Sequence, residues 1–446
     1  MDVDYSAGRS VYVNVSSEGR FVGALVAFLL ILYIVGAHLR LSIYSGQSII
    51  LPMYLMLLSA GVLALTFFAP LVRAVGWPFG ALAVFVLIQP ALSFAPQSVS
   101  VDTLLAGLQL LASVAAALAV VYALSRVERP RLRRVLVWIW AAIILLAILE
   151  SVGLKPVFDE LRKVIYAGSG RFLYFEEFRD LQIYGRVRST VLASEPSFLA
   201  DTLMSLALMI FFLDPRRGTL WSWGRLGAML TASFLVAPSF KMAFYVIAVL
   251  VWQFWPRTPR DLLVLAGGLV VGATLLAVLS GPLSTAFFSV AGRHLESGSF
   301  FGRIGVAPDV GWRVLTTYPL MGYGIGNESG LYPLIVGAWQ DSGALSRFPW
   351  FAYLPATDLM TNGFWWGVSF LGILGSAVFW TTIWLALRSL GVDAPLRSII
   401  CASIVWYAGA AFVDPHSWYM LVVFSIGSVA SQRVRTSRVQ PRPRPV

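Results

Sequence analysis

Charged residues and cysteines are scarce in this chain of 446 residues. Only 12% of the residues are charged, whereas a soluble globular protein carries about 25%. Intrinsic disorder is excluded, because it requires low hydrophobicity and 58% of these residues are hydrophobic. The only cysteine is Cys401, which excludes a disulfide scaffold. A polytopic membrane protein is the class that remains.

Histidine is equally rare. The chain has only His38, His294 and His416, and no two of them have the spacing of metal ligands. It contains neither a Gly-x-Ser-x-Gly nucleophile motif nor a Cys/His arrangement. The sequence therefore predicts no bound metal or other cofactor.

Long apolar runs are abundant, and a bilayer-spanning helix needs about 20 such residues. We predict an all-α membrane protein with about twelve transmembrane helices. The spans run over about residues 21–38, 49–70, 75–95, 102–124, 135–153, 191–213, 226–238, 241–255, 262–282, 363–387, 398–413 and 417–431. The seventh and eighth are short, and only residues 238–241 separate them, so they can also form one broken hairpin.

The net charge is +11, and all but three of the 33 basic residues are arginine. Apolar stretches interrupt the arginines everywhere, so we predict no nucleic-acid partner. Every second connection, counted from the one after span two, is rich in arginine. These connections and the C-terminal tail hold Arg73, Arg126, Arg129, Arg131, Arg133, Arg134, Arg216, Arg217, Arg225, Arg257, Arg260, Arg388, Arg397, Arg433, Arg435, Arg438, Arg442 and Arg444. The positive-inside rule makes them cytoplasmic, together with both termini.

Two connections on the opposite, outer face are long. They span about residues 154–190 and 283–362, and long loops in a compact membrane protein are usually functional. We expect a single integral membrane domain over residues 1–432. Residues 433–446 are predicted to be a disordered basic cytoplasmic tail.

The first outer connection ends with Arg186 and Arg188, and Glu195 then enters the next apolar run beside Pro196. Proline suits the first turn of a helix, where Ser194 can be the cap and Glu195 can interact with the helix dipole. On that structural interpretation, Arg188 is simply the ion partner of Glu195. The functional interpretation is that a carboxylate at membrane depth, next to two cations, forms part of a site.

Further cations lie outside the predicted cytoplasmic connections. Lys241 separates two short apolar runs, as either a snorkelling lysine or a cation that lines a polar cavity. Arg303 and Arg313 lie in the second outer connection, ahead of glycines at 322, 324 and 326. Such glycines either mark a tight turn or let backbone amides approach an anion. Clustered arginines suit a phosphate or diphosphate group.

Three segments between about residues 180 and 380 resemble the O-antigen polymerase and ligase superfamily of bacterial envelope enzymes. Arg188-x6-Glu195-Pro196-Ser197-x2-Ala200 resembles its "R…EPS..A" segment. Ser239-Phe240-Lys241 stands where family members often have Ser-Arg. Arg303 and Trp312, followed by residues 319–324 (PLMGYG), are similar to "R…W…PllGxG", and Asn362 and residues 372–375 resemble the helix that follows.

The resemblance implies a glycosyltransferase of GT-C-like architecture in the bacterial inner membrane, with both large loops periplasmic. Its substrate would be an undecaprenyl-diphosphate-linked oligosaccharide, with membrane lipids around it. We expect a polysaccharide polymerase that transfers the lipid-linked chain onto a lipid-linked repeat unit. Many membrane glycosyltransferases carry a metal-binding acidic motif in the first outer loop. The equivalent residues 39–48 contain no acid, which favours a metal-independent reaction. Whether a chain-length regulator protein binds stays open.

The expected catalytic residues are Arg188, Glu195 and Arg303, with Lys241, Arg186 and Arg313 as further ligands of the diphosphate. Glu195 is the first candidate for the general base, or else it orients Arg188. The other candidates for the base are Asp309, Glu328, Asp341 and Asp358. Trp312, Tyr318, Tyr323 and Trp339 can stack on sugar rings or pack at the membrane interface.

Three alternatives remain at this stage. The first is an O-antigen ligase, which transfers the finished glycan to lipid A-core; His294 lies at the start of the loop whose later part carries a histidine in ligases. The second is a lipid-linked glycan flippase, whose cations would be reachable from both faces. The third is a structural membrane subunit, whose loops would be docking surfaces.

Overall fold

The computed structural model describes residues 17–45, 48–167, 173–175, 177–256, 258, 301–409 and 411–429. We number its helices in chain order. The first ten are α1 (Ser17–Leu39), α2 (Tyr54–Thr66), α3 (Phe68–Leu92), α4 (Val101–Leu124), α5 (Arg129–Leu149), α6 (Lys155–Ile165), α7 (Glu177–Tyr184), α8 (Pro196–Phe212), α9 (Leu220–Val236) and α10 (Lys241–Gln253). The others are α11 (Ala307–Thr317), α12 (Glu328–Asp341), α13 (Ala344–Arg347), α14 (Ala356–Leu359), α15 (Gly363–Ser389), α16 (Pro395–Tyr407) and α17 (Pro415–Ser425).

The described residues are predominantly helical, as predicted. Four helical stretches are long and apolar enough to cross a membrane: Phe68–Leu92, Val101–Leu124, Arg129–Ile165 and Gly363–Ser389. Shorter apolar helices lie at most of the other predicted spans. The predicted ninth span, His294 and the tail at residues 433–446 lie outside the described residues.

Two local predictions are wrong. The second predicted span begins in a strand, because β1 (Ile43–Ser45) and β2 (Ser48–Leu51) form an antiparallel hairpin before α2. The connection predicted around Arg73 is helical, since α2 and α3 meet at a bend at Phe67. Pro70 explains this bend: it lacks an N–H group, so it ends α2 but fits the first turn of α3.

Both predicted outer connections contain helices. In the first, α5 continues through a π-helical segment, Glu150–Leu154, into α6, and α7 follows. In the second, a π-helical segment, Gly302–Val306, leads into α11, and α12, α13, a 3₁₀ helix (Pro349–Tyr353) and α14 follow.

Two helices form the centre of the bundle. Every residue of α17 is buried, and so is every residue of α8 except Ser197. A helix that is apolar all round requires neighbours on all sides. Here α8 packs against α1, α5, α9, α10 and α17, and α17 also packs against α4 and α16.

The arginine-rich connections meet at one end of this pair. Asp214, just after α8, forms ion pairs with Arg133 and Arg225. Just after α17, the Gly427 carbonyl accepts a hydrogen bond from Arg217 at 2.6 Å. Connections that the arginine pattern assigns to one face are thus in contact with each other.

Helix α15 is broken near its first third, and another segment fills the break. Gly372 has non-helical dihedral angles (φ 64°, ψ −164°). The amides of Tyr323 and Gly324 donate to the carbonyls of Ser369 and Phe370, at 2.9 and 3.0 Å. In return, the Ile373 amide donates to the Pro319 carbonyl at 2.8 Å. The PLMGYG segment therefore supplies the backbone partners that the broken helix lacks.

Candidate functional site

A buried ion cluster lies at the other end of α8 and α17. Oδ2 of Asp201, on α8, accepts from Arg40 Nη2 and from Lys241 Nζ, each at 2.9 Å. Arg40 Nη2 also donates to His416 Nε2 at 2.6 Å. All four residues are at most 8% exposed. One buried carboxylate thus holds two cations, a pairing that offsets the cost of burying them.

The helix ends explain why these four residues meet. Arg40 directly follows α1, Lys241 is the first residue of α10, and His416 lies in the first turn of α17. The Arg40 guanidinium also lies 3.6 Å from the ring centroid of Phe198. Phe198 and Asp201 share one face of α8, because residues three apart are neighbours on a helix. A single helix face therefore orients Arg40 by stacking and by charge.

Arg303 lies beside this cluster. A Cβ atom placed on Gly409 would lie 3.0 Å from Arg303 Nε and 3.3 Å from Lys241 Cε. The two cations therefore flank this glycine, which has φ +138°. Arg303 Nε is buried and has no hydrogen-bond partner among the described residues. Burial lowers the pKa of Arg303, and the charge of Glu195 opposes that shift.

Asn362 fixes the backbone of Arg303. Its Nδ2 donates to the carbonyls of Arg303 and Tyr407, at 2.8 and 3.0 Å. Its Oδ1 accepts from the Trp365 amide at 3.1 Å and so caps α15. One buried amide therefore connects the Arg303 segment to the beginning of α15 and the end of α16.

Glu195 is itself the N-cap of α8, a position we had expected Ser194 to occupy. The Glu195 carboxylate makes no capping bond to the helix and accepts instead from Ser197 Oγ at 3.0 Å. It is partly exposed. Its charge acts on both Arg303 and Asp358. The Glu195 carboxylate is thus partly accessible to solvent, and its charge interacts with Arg303 and Asp358.

Arg188 has a different partner from the one its position in the sequence suggests. Its Nε donates to Asp180 Oδ1 at 2.8 Å, and its Nη2 lies 2.7 Å from the same oxygen. The guanidinium also lies over the Tyr184 ring, 4.4 Å from the centroid. Asp180 is 1% exposed and was not among the predicted residues. The interpretation of Arg188 as the ion partner of Glu195 is therefore wrong.

Two of the predicted diphosphate ligands lie elsewhere. Arg313 forms ion pairs with Asp309 and Asp341, at 2.8 and 2.7 Å, on a partly exposed surface. Arg186 is exposed and lies 3.4 Å from the Phe234 carbonyl. Local contacts account for the charges of Arg313, Asp309 and Asp341.

The predicted aromatic residues differ in exposure. Trp312 is 66% exposed. Tyr323 is buried and packs edge-to-face against Tyr318, at 4.9 Å between ring centroids. Trp339 is fully buried, and its Nε1 donates to the Leu359 carbonyl at 3.2 Å. Tyr323 and Trp339 therefore pack within the protein, whereas Tyr318 is partly exposed and Trp312 offers an open ring.

Four successive amides of the glycine run are bonded within the protein, beginning with Gly322, which donates to the Tyr318 carbonyl at 3.0 Å. The amides of residues 323 and 324 bond to α15, and the Ile325 amide donates to Gln89 Oε1 at 2.9 Å. Gln89 Nε2 in turn donates to the carbonyls of Met321 and Phe370, at 2.6 and 2.8 Å. The run is structural.

Two other predicted acidic residues, Asp358 and Glu328, have a raised pKa. Burial raises the pKa of Asp358, and the neighbouring charge of Glu195 raises it further. Burial also raises the pKa of Glu328 to about 7, and the charges of Asp102 and Asp358 contribute. A carboxyl with a pKa near the working pH suits proton transfer.

The site contains three residues that we did not predict: Arg40, Asp201 and His416. Asp201 did have a signal in the sequence, because it is the only charged residue in α8 and directly follows the EPS..A segment. Arg40 had a weaker signal, as an arginine outside the predicted cytoplasmic connections, and His416 had none. Comparison with known protein families and with characterised proteins finds no match.

Proposed function

We propose that this protein is a polysaccharide polymerase that joins undecaprenyl-diphosphate-linked glycans at the periplasmic face of the bacterial inner membrane. The proposal includes a twelve-span, GT-C-like architecture with cytoplasmic termini. The observation that carries it is the convergence of Arg40 and Lys241 on Asp201, with Arg303 beside Lys241 at Gly409 and the charge of Glu195 acting on Arg303. Three cations and two carboxylates leave net positive charge for an anionic group.

In the proposed reaction, a hydroxyl of the acceptor repeat unit attacks the anomeric carbon of the donor glycan. The new carbon–oxygen bond replaces the bond to the diphosphate, and undecaprenyl diphosphate leaves with the bonding electrons. A carboxylate takes the hydroxyl proton. Glu195 is the first candidate because its charge acts on Arg303, and Glu328 is the second because burial raises its pKa to about 7.

Arg303 and Lys241 are the proposed ligands of the diphosphate. Arg303 has a buried Nε without a hydrogen-bond partner among the described residues, so it has donor capacity for a ligand. Cations already held in place stabilise the leaving charge without moving during the reaction. We assign Arg188 a supporting role, since Asp180 neutralises it.

Below the ion cluster, the centre of the bundle is apolar, which supports an enzyme over a flippase. Leu203, Leu206 and Ala207 on α8 and Leu421 and Val422 on α17 are fully buried. A transporter would need a polar route along these helices.

One observation favours the ligase as a second candidate: a histidine, His416, lies in the cluster beside Arg40.

The test is a product assay with the purified full-length protein in detergent and EDTA. The substrate is the undecaprenyl-diphosphate-linked repeat unit extracted from the source cells. We expect a ladder of repeat multiples, and we expect Arg303→Ala to reduce its formation about 100-fold. The matched control is Arg313→Ala, which removes an arginine outside the cluster and leaves the yield unchanged.

Three results would contradict the proposal. Transfer to added lipid A-core without a ladder would establish the ligase. Neither product would leave the flippase and the structural subunit. Full activity of a correctly folded Arg303→Ala protein would remove the proposed role of the ion cluster.

A further inference from the structure

Leu154 and helix α6 share an exposed apolar stripe beyond the kink in the long stretch Arg129–Ile165. Leu154, Val157, Leu161 and Val164 are between 44% and 73% exposed. Their spacing of three, four and three residues places them on one face of a helix with 3.6 residues per turn. A contiguous exposed apolar surface of this kind marks a contact with another apolar phase or partner.

The opposite side of α6 is fixed to the protein, so the stripe must face outward. Phe158 packs in a buried cluster with Leu199 and Ala147. Arg162 is fully buried, and its Nη2 donates to the carbonyls of Tyr174 and Ser194, at 2.9 and 3.0 Å. These contacts prevent α6 from rotating its stripe into the core.

The length of the preceding helix indicates which phase the stripe meets. The helical stretch Arg129–Ile165 has 37 residues. At 1.5 Å per residue it would be about 55 Å long if straight, well beyond the roughly 30 Å of a bilayer core. Gly153, with φ +125°, kinks it before α6 begins. The chain therefore changes direction near the point where it must leave the hydrocarbon.

The apolar surface is continuous across this kink. Leu145 and Ile148, near the end of the spanning part, are exposed, and so is Val152 at the kink itself. Exposed apolar side chains on a spanning helix face lipid. We propose that α6 lies in the membrane–water interface, on the outer face of the membrane that the protein spans. Leu154, Val157, Leu161 and Val164 are then embedded among the lipids.

The charges of α6 predict whether its contact with the bilayer requires anionic lipids. Lys155 and Lys163 are balanced by Asp159 and Glu160, and Lys163 forms an ion pair with Glu160 at 2.7 Å. The third cation of the helix, Arg162, gives it a net charge of +1 but is fully buried, so the exposed charges cancel and the apolar stripe supplies the affinity. A neutral phosphatidylcholine bilayer is the appropriate probe.

This anchor also bears on the candidate site. Ser194, whose carbonyl Arg162 binds, directly precedes Glu195. A helix held at the interface therefore sets the position of Glu195 relative to the membrane surface. The anchor itself is independent of the proposed function, because its test measures lipid contact only.

The test uses the full-length protein in phosphatidylcholine nanodiscs. Single cysteines replace Val164 in the stripe and, as the matched control, Lys163 on the polar side, and each carries an environment-sensitive fluorophore. The parent chain is the labelling blank, because its only cysteine, Cys401, is buried. Both replaced side chains are exposed, so the fold does not depend on them.

We expect nitroxide-labelled lipids to quench the Val164→Cys label several-fold more than the Lys163→Cys label. Aqueous iodide should show the opposite preference. Equal access of iodide to both labels would overturn the proposal. Shielding of the Val164→Cys label from both quenchers would also overturn it and indicate a second copy or another protein on this face. Leu161→Cys repeats the measurement at a second position.

Discussion

At the scale of single residues, the site depends on Asp201. This carboxylate is 3% exposed and accepts from both Arg40 and Lys241. Without it, two buried cations would lose the carboxylate that they share. Removing one partner of a buried ion pair destabilises a protein by more than the intact pair stabilises it, because the remaining charge stays desolvated.

We therefore expect Asp201→Asn to destabilise the protein by about 3 kcal/mol. The measurement is thermal unfolding of the purified protein in detergent, followed by a thiol-independent fluorescence signal. The control, Asp309→Asn, removes an acid that is partly exposed beside Arg313 and should cost less than about 1 kcal/mol. An Asp201→Asn protein as stable as the Asp309→Asn protein would show that this cluster does not bear on stability.

Sequence patterns predicted individual site residues better than their pairing. Glu195, Lys241 and Arg303 were predicted because each is a charge without an evident role in topology. The structural interpretation paired Arg188 with Glu195 because the two share a motif, yet Asp180 on α7 is the ion partner of Arg188. The pairing follows from how loop 154–190 folds back on itself, and no residue spacing encodes that.

At the scale of secondary-structure elements, the break in α15 is where residues 319–324, in the predicted second outer connection, hydrogen-bond to the helical bundle. Non-helical backbone at this depth is tolerated only where other protein groups satisfy it. Residues 319–324 provide those groups, and Gln89 on α3 completes the bonding. The two glycines at the contact have no space for a side chain.

We predict that Gly322→Ala and Gly372→Ala each destabilise the protein by about 3 kcal/mol or more. A Cβ atom on Gly322 would lie 2.5 Å from the Ser369 carbonyl oxygen, and one on Gly372 would lie 2.5 Å from the Gly322 amide nitrogen. Both neighbours are backbone atoms, so neither can move aside easily. Thermal unfolding in detergent is the measurement.

Gly343→Ala is the matched control for this pair. Gly343 also has a positive φ, +69°, but nothing lies within 4 Å of its Cβ position. It should therefore cost only the backbone strain, about 1–2 kcal/mol. Equal losses for all three variants would mean that strain alone, and not the contact between residues 319–324 and α15, accounts for the effect.

Apolar runs predicted most of the helices, because burial in a bilayer or a helical core demands them. They could not predict the β1–β2 hairpin or the bend at Phe67, since apolar residues are equally suited to a strand and to a continuous helix. Pro70 was the available signal for the bend. The broken α15 was equally hidden, because its partner segment lies about 50 residues earlier in the chain.

At the scale of the whole molecule, the polar contacts separate into two groups along α8. Asp201 belongs to the candidate site, and Asp214 forms ion pairs with Arg133 and Arg225. They are thirteen positions apart in the sequence, which corresponds to about 20 Å at the helical rise of 1.5 Å per residue. The arginine pattern assigns the connections around Asp214 to the cytoplasm and those around Asp201 to the outer face.

This separation predicts the accessibility of two exposed positions. Tyr353 is 89% exposed in the outer segments, and Arg216 is exposed in the connection after α8. In spheroplasts, a membrane-impermeant maleimide should label Tyr353→Cys before lysis and Arg216→Cys only after lysis. The parent chain is the blank, because its cysteine, Cys401, is buried. Reversed labelling would place the candidate site on the cytoplasmic face and remove a periplasmic reaction. Labelling of both positions before lysis would mean that the two groups of contacts do not lie on opposite sides of a membrane, and the arginine pattern would then need another explanation.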